Sequence, residues 1–235
     1  MTEEPLVAGV IGGLGPEASL DFYARVLRRT PARGDQDHLH LIINSNPRVP
    51  NRNEAIAGTG PLPGPYLADM ALALERAGAD FLVMACNTAH AWLPDIKRAT
   101  SLPFISIIDE TVNATLNTVP GARRVGLLAT SGCLDAGLYQ AAFSEQGRST
   151  LEVDRERFMP LLYRIKSGDT GPEARQEMQQ LAGALGADVV VAACTEVPLV
   201  LDPADLNVPL ISSTDVLVEA TIAAALGKRP LLSRD

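Results

Sequence analysis

One nine-residue segment occurs twice. Gly78-Ala79-Asp80-Phe81-Leu82-Val83-Met84-Ala85-Cys86 is echoed by Gly186-Ala187-Asp188-Val189-Val190-Val191-Ala192-Ala193-Cys194 at a spacing of 108 residues. The flanks keep step. Pro65 and Pro172 stand upstream of the two copies. Downstream, Leu102-Pro103-Phe104-Ile105-Ser106 is answered by Val208-Pro209-Leu210-Ile211-Ser212, and Asp109 by Asp215. Val7–Gly12 resembles Val125–Thr130 more loosely. Solenoid units run about 20–50 residues, so this period is too long for one. It is close to a common domain size. The 235 residues therefore read as two homologous lobes.

Each lobe alternates short apolar runs with amphipathic stretches. Val7–Ile11, Leu39–Ile43, Phe81–Met84 and Phe104–Ile108 read as strands, as do Arg124–Ala129, Val189–Ala192 and Pro209–Ile211. Several are continuously apolar and β-branched, as in parallel sheets buried on both faces. Between them lie helices, one opened by Pro65 and stopped by Gly78, another opened by Pro172 and stopped by Gly186; proline is tolerated in a first turn and glycine ends helices. Strands separated by helices specify an α/β fold. The expected architecture is two pseudo-symmetric lobes, each a mainly parallel sheet flanked by helices, with the active site in the interlobe cleft. Residues 1–110 are assigned to the first lobe and 111–212 to the second. A C-terminal helix, 213–235, is expected to return to the first lobe.

Composition removes several function classes. The net charge is −8, unsuited to nucleic acid or an anionic membrane, both of which reward basic patches. No uninterrupted apolar run approaches the roughly 20 residues of a membrane span, and the start, MTEEPLVAGV, is acidic where a secretory signal is basic. Three cysteines fit a reducing compartment better than a disulfide framework. The expectation is a soluble cytoplasmic protein with a small-molecule substrate and no nucleic-acid or membrane partner.

The repeat puts Cys86 and Cys194 at equivalent places, each at the carboxyl end of a buried strand, where ligands bind in open α/β sheets. Backbone N–H groups and a helix dipole at such turns can hold a carboxylate or lower a thiol pKa. If the lobes close face to face, the two thiols flank one cleft. Opposed sulfurs suit inversion at an amino-acid Cα, with one thiolate removing the proton and the other thiol returning one to the opposite face. Free cysteine is often a buried small hydrophobe; two in register, each followed by polar residues, fit that description poorly. Cys133 has no repeat partner and reads as loop packing. A metal reading joins Cys86, His90 and Cys194, but zinc usually takes three or four ligands, and His90 is better placed to orient the turn. Arg52 lies in the long Asn44–Gly64 loop before one helix and Lys166 before the other, so each lobe offers a cation to an acidic substrate. Gly13, Gly15 and Ala18 formally satisfy G-x-G-x-x-A, yet the second strand lacks the acidic residue of a dinucleotide site. Gly13 is assigned instead to a tight turn shaping a small-ligand cleft.

The residues resemble the aspartate/glutamate racemase family, whose members invert acidic amino acids with two cysteines and no cofactor. Ile11-Gly12-Gly13-Leu14-Gly15-Pro16, Asn46–Arg52, Met84-Ala85-Cys86-Asn87-Thr88-Ala89-His90, Ile107-Ile108-Asp109-Glu110-Thr111, Leu127-Leu128-Ala129-Thr130 and Ala193-Cys194-Thr195-Glu196 run in family order. The resemblance implies Cys86 and Cys194 as the acid–base pair and Arg52 and Lys166 as cations for the distal carboxylate. Asn87, Thr88, Thr130 and Thr195 are the further substrate-binding candidates. It implies neither pyridoxal phosphate nor metal, and a homodimer. Ala193 replaces a frequent Gly, Leu14 a frequent Met, and Cys133 a frequent Thr, changes that touch substrate preference and leave the thiols intact. The wider superfamily includes hydantoin racemases and maleate isomerases, so an isomerase of either type, or a racemase of broader amino-acid specificity, is the alternative to an aspartate or glutamate racemase. A cysteine-nucleophile isomerase or hydrolase and a non-catalytic amino-acid binder are the alternatives from other classes.

Overall fold

A computed structural model describes residues 4–231; residues 1–3, and the 232–235 end of the expected C-terminal segment, lie outside it. The first half runs β1 (Ala8–Gly12), α1 (Pro16–Arg29), β2 (Leu41–Ser45), α2 (Arg52–Ile56), α3 (Gly64–Arg76), β3 (Phe81–Met84), α4 (Leu93–Ala99), β4 (Phe104–Ile105) and α5 (Ile107–Thr118). The second half follows as β5 (Arg124–Leu128), α6 (Ser131–Asp135), α7 (Leu138–Glu145), β6 (Ser149–Glu152), α8 (Arg155–Lys166), α9 (Pro172–Ala184), β7 (Val189–Ala192), β8 (Leu210–Ser212) and α10 (Ser213–Ala225). Each half forms a four-stranded sheet, β2-β1-β3-β4 and β6-β5-β7-β8. Every pairing is parallel. The duplicated sequence is thus a duplicated sheet.

The apolar strands are buried on both faces. Phe81 and Val83 of β3, with Val189 and Val191 of β7, enter a core shared by both sheets. The alternate residues turn outward, Leu82 and Met84 into a core under α3, Val190 and Ala192 into one under α8 and α9. A strand alternates its side chains between faces, so burial on both leaves no place for polar residues. Helices α5 and α10 tie the lobes together. They pack on one another; α5 also lies against α7 of the second lobe, and α10 against α1 of the first. Ser106 and Ser212 cap these helices identically, each hydroxyl accepting the N–H of Asp109 or Asp215.

Those caps correct one expectation. The run Phe104–Ile108 is strand only through Ile105, because Ser106 starts a helix that takes Ile107 and Ile108. The second strand lies two residues later than expected. β6 was not expected at all: its Ser-Thr-Leu-Glu sequence has half-buried and exposed positions, as suits an edge strand. Pro65 and Pro172 do open α3 and α9, and Gly78 and Gly186 follow at positive φ, 96° and 61°. The Asn44–Gly64 loop contains α2.

Candidate active site

Strand β3 delivers Cys86 to a turn that continues as a short 3₁₀ helix, Thr88–Trp92. His90 fixes that turn. Its Nδ1 is 2.8 Å from the Cys86 carbonyl oxygen, while its Nε2 accepts the Ile107 N–H at 3.2 Å. An Nε2 that accepts requires the proton on Nδ1, so the ring donates to Cys86 and is neutral. Burial pushes His90 down to about 4, against the opposing pull of its backbone hydrogen bonds. With both nitrogens engaged by main chain, His90 is a clamp between the Cys86 turn and α5. Among the described residues no three His, Cys, Asp or Glu side chains cluster as a metal site.

Strand β7 delivers Cys194 in the same way. Here the neighbour is acidic. The Cys194 thiol donates to Glu196 Oε2 at 3.0 Å, and Thr195 Oγ1 to the same oxygen at 3.3 Å. Burial raises the Cys194 pKa well above the ordinary thiol value, Glu196 adds to the rise, and Lys166 opposes it. Glu196 is itself only 2% exposed. Its other oxygen, Oε1, meets Lys166 Nζ from the last turn of α8 at 2.5 Å. For Lys166, burial pulls the pKa down, but the Glu196 and Cys194 charges outweigh it and the net shift is upward.

Buried hydrogen bonds connect the two turns. Tyr139 donates to Asn87 Oδ1 at 2.6 Å; Asn87 Nδ2 donates to Ser213 Oγ at 3.1 Å; Ser213 donates to the Ala192 carbonyl at 2.7 Å. The residue after one cysteine is thereby linked to the strand that carries the other. Thr88 and Thr130 meet across the lobes at 2.8 Å, and Thr130 also caps α6 by accepting the Cys133 N–H at 3.2 Å. Asn53 Oδ1 accepts the Gly132 N–H at 2.9 Å. Arg52 gives Nη1 to the carbonyls of Val49 and Pro50 and Nη2 to that of Leu14, at 3.0, 2.9 and 2.7 Å. It holds its loop against the Gly-rich turn.

These residues surround two adjoining chambers. The inner one, about 30 Å³, is lined by Cys86, Asn87, Thr88, Thr130, Cys194 and Thr195, with Arg52, Lys166 and Glu196. Arg52, Lys166, Glu196 and Leu14 also border the outer chamber, about 210 Å³, which reaches Gly13 and Glu17. One water needs about 10–15 Å³ on this scale, so the inner chamber alone is smaller than an amino acid, and a substrate there must also use the outer space. Gly13 has φ 80°, and a Cβ on it would run into the Asn46 backbone; only glycine suits that turn.

Eight of the nine residues singled out from sequence line the inner chamber and the ninth, Gly13, lines the outer. Cys133 differs from its expected loop setting: it lies inside α6, 1% exposed. Burial, with Cys86 nearby, pushes its thiol up to about 12. Sequence reasoning did not assign Glu196 or Asn53. Glu196 had a signal, a carboxylate two residues after a strand-end cysteine; Asn53 had none beyond its place beside Arg52.

A family model described as Asp/Glu/Hydantoin racemase matches residues 11–221, nearly the whole chain and both cysteine turns. The chain belongs to that family. As a member it is an isomerase, an amino-acid racemase by kinship. It is 26% identical over 226 residues to the broad-specificity amino-acid racemase RacX of Bacillus subtilis, covering 93% of this chain and 97% of that protein. It is 33% identical over 172 residues to the glutamate racemase of Pseudomonas paraeruginosa, covering 68% and 62% of the two chains. Among solved structures, Picrophilus torridus aspartate racemase superposes with a TM-score of 0.86 at 29% identity, over 94% of each chain. No helix among this racemase's described residues is long and apolar enough to cross a membrane.

Proposed function

We propose that this racemase interconverts the L and D forms of an amino acid by two-base proton transfer, without a cofactor, through Cys86 and Cys194. The observation that carries the reading is that both thiols border one small chamber, each from its own lobe. A base and an acid on opposite faces of Cα are what inversion requires. The resting hydrogen bond to Glu196 presents Cys194 as the protonated partner. In that state Cys86, as thiolate, removes the Cα proton. The carbanion is held by its own carboxylate, and Cys194 delivers its proton to the other face. The protonation states of the two sulfurs are then exchanged, which readies the enzyme for the reverse substrate. In that direction Cys194, left as the thiolate, is the base, and the proton it takes from Cα restores its hydrogen bond to Glu196 Oε2. Thr88, Thr130 and Thr195 offer hydroxyls to the α-carboxylate and amino group, together with the turn N–H groups. Asn87 keeps one amide hydrogen beyond its bond to Ser213.

Aspartate and glutamate are the first substrates proposed, because Arg52 and Lys166 stand where the side-chain end reaches the outer chamber. The kinship with aspartate and glutamate racemases supports the same choice. The proposed assembly is a homodimer, checked by light scattering. The activity test is incubation with each enantiomer of a panel of amino acids in deuterated water. Deuterium appearing at Cα of the inverted product supports the proposal. Inversion without deuterium, or a covalent enzyme adduct seen by mass spectrometry, rejects it.

A further inference from the structure

The lysine expected to read the substrate's far end is already engaged. Lys166 Nζ and Glu196 Oε1 lie 2.5 Å apart, with the glutamate side chain 3% exposed. This carboxylate is held in place, not loose at the surface. Its second oxygen receives the Cys194 thiol and the Thr195 hydroxyl. From the opposite lobe, Gly15 leaves room for Oε1, where any Cβ would collide with it. Besides the cysteine pair, the charged side chains bordering the two chambers are Glu17, Arg52, Lys166 and Glu196, and these four sum to no net charge. The pair is part-buried, with the Lys166 side chain 28% exposed, and such a pair is screened less than a fully exposed one.

We infer that Glu196 is a specificity-determining residue, a built-in competitor that occupies the Lys166 ammonium where a distal substrate carboxylate would bind. This deepens the racemase reading above and rests on it. An acidic side chain must displace or share the Glu196 contact before it gains an ion pair with Lys166. A neutral side chain of the same shape meets a pair already compensated and loses nothing. Glu196 therefore lowers the advantage of acidic substrates and widens the range toward their neutral isosteres.

The test uses Glu196→Gln, which keeps size and an acceptor oxygen for Cys194 while removing the charge. The readout is the ratio of kcat/KM for aspartate to that for asparagine within one variant, in which any general loss through Cys194 cancels. Charge-assisted hydrogen bonds exceed neutral ones enough that unmasking Lys166 should raise this ratio at least about tenfold. Adding Lys166→Met should abolish the rise. Lys166→Met alone, which leaves Glu196 facing the substrate, should lower the ratio below wild type. An unchanged or reduced ratio in Glu196→Gln overturns the inference. Calorimetric binding of succinate against succinamate gives a second readout independent of turnover: succinate should tighten about tenfold in Glu196→Gln and succinamate should not. Failure of succinate to tighten overturns the inference too. If wild type racemises no amino acid, the racemase reading falls, and the succinate measurement still decides the role of Glu196.

Discussion

His90 is neutral and enclosed, with both ring nitrogens tied to main chain, so acid should attack the fold through it. Its pKa falls from 6.5 to about 4 on burial. The sign follows from linkage: below pH 6.5 the unfolded chain takes up a proton that the folded chain refuses, so stability is present above that pH and lost as pH falls. One pKa unit is worth about 1.4 kcal/mol, which makes the loss about 2 kcal/mol at pH 5 and about 3 kcal/mol at pH 4. The perturbation is His90→Gln, which can still donate and accept but does not titrate. Urea unfolding of both proteins at pH 7 and pH 5 gives the comparison; the carboxylates and the other two histidines are common to both and cancel. Wild type should lose about 2 kcal/mol more than the variant over that interval. NMR titration of the His90 ring reports the same property directly, with the ring staying neutral down to about pH 4. Equal pH dependence in the two proteins, or a ring that titrates near 6.5, would refute the account of the Cys86 turn.

Other substitutions follow from the same geometry. Arg52→Ala removes three hydrogen bonds to main-chain carbonyls and should destabilise by about 2 kcal/mol or more in urea unfolding; an unchanged midpoint would deny Arg52 its anchoring role. Ser213→Ala cuts the link from Asn87 to the Ala192 carbonyl. It should cost about 1–3 kcal/mol of stability and lower kcat with little change in KM, whereas a stability loss with kcat intact would show that the link does not position the thiols. Gly13→Ala places a methyl against the Asn46 backbone at positive φ and should cost about 1–3 kcal/mol, measured by thermal unfolding; a neutral outcome would mean the turn adapts.

The duplication was legible because parallel strands buried on both faces must be apolar throughout, which makes β3 and β7 conspicuous at equal spacing from Gly78 and Gly186. It also located the cysteines, since a strand's carboxyl end in such a sheet opens toward the ligand. What sequence did not disclose are contacts between residues far apart in the chain. β6, an edge strand of mixed polarity, has no pattern distinct from a loop. Asn87 looked like a substrate ligand from its place after Cys86, yet its amide is shared with Tyr139 and Ser213, an arrangement that only the packing of α7 and α10 creates. The partner of Lys166 was equally hidden, because Glu196 reaches it across 30 residues.

The two-thiol claim is tested most directly by replacing each cysteine with alanine in turn and following inversion of both enantiomers by circular dichroism. Loss of conversion in both directions in Cys86→Ala and in Cys194→Ala is the predicted result. Either variant racemising at the wild-type rate would contradict it.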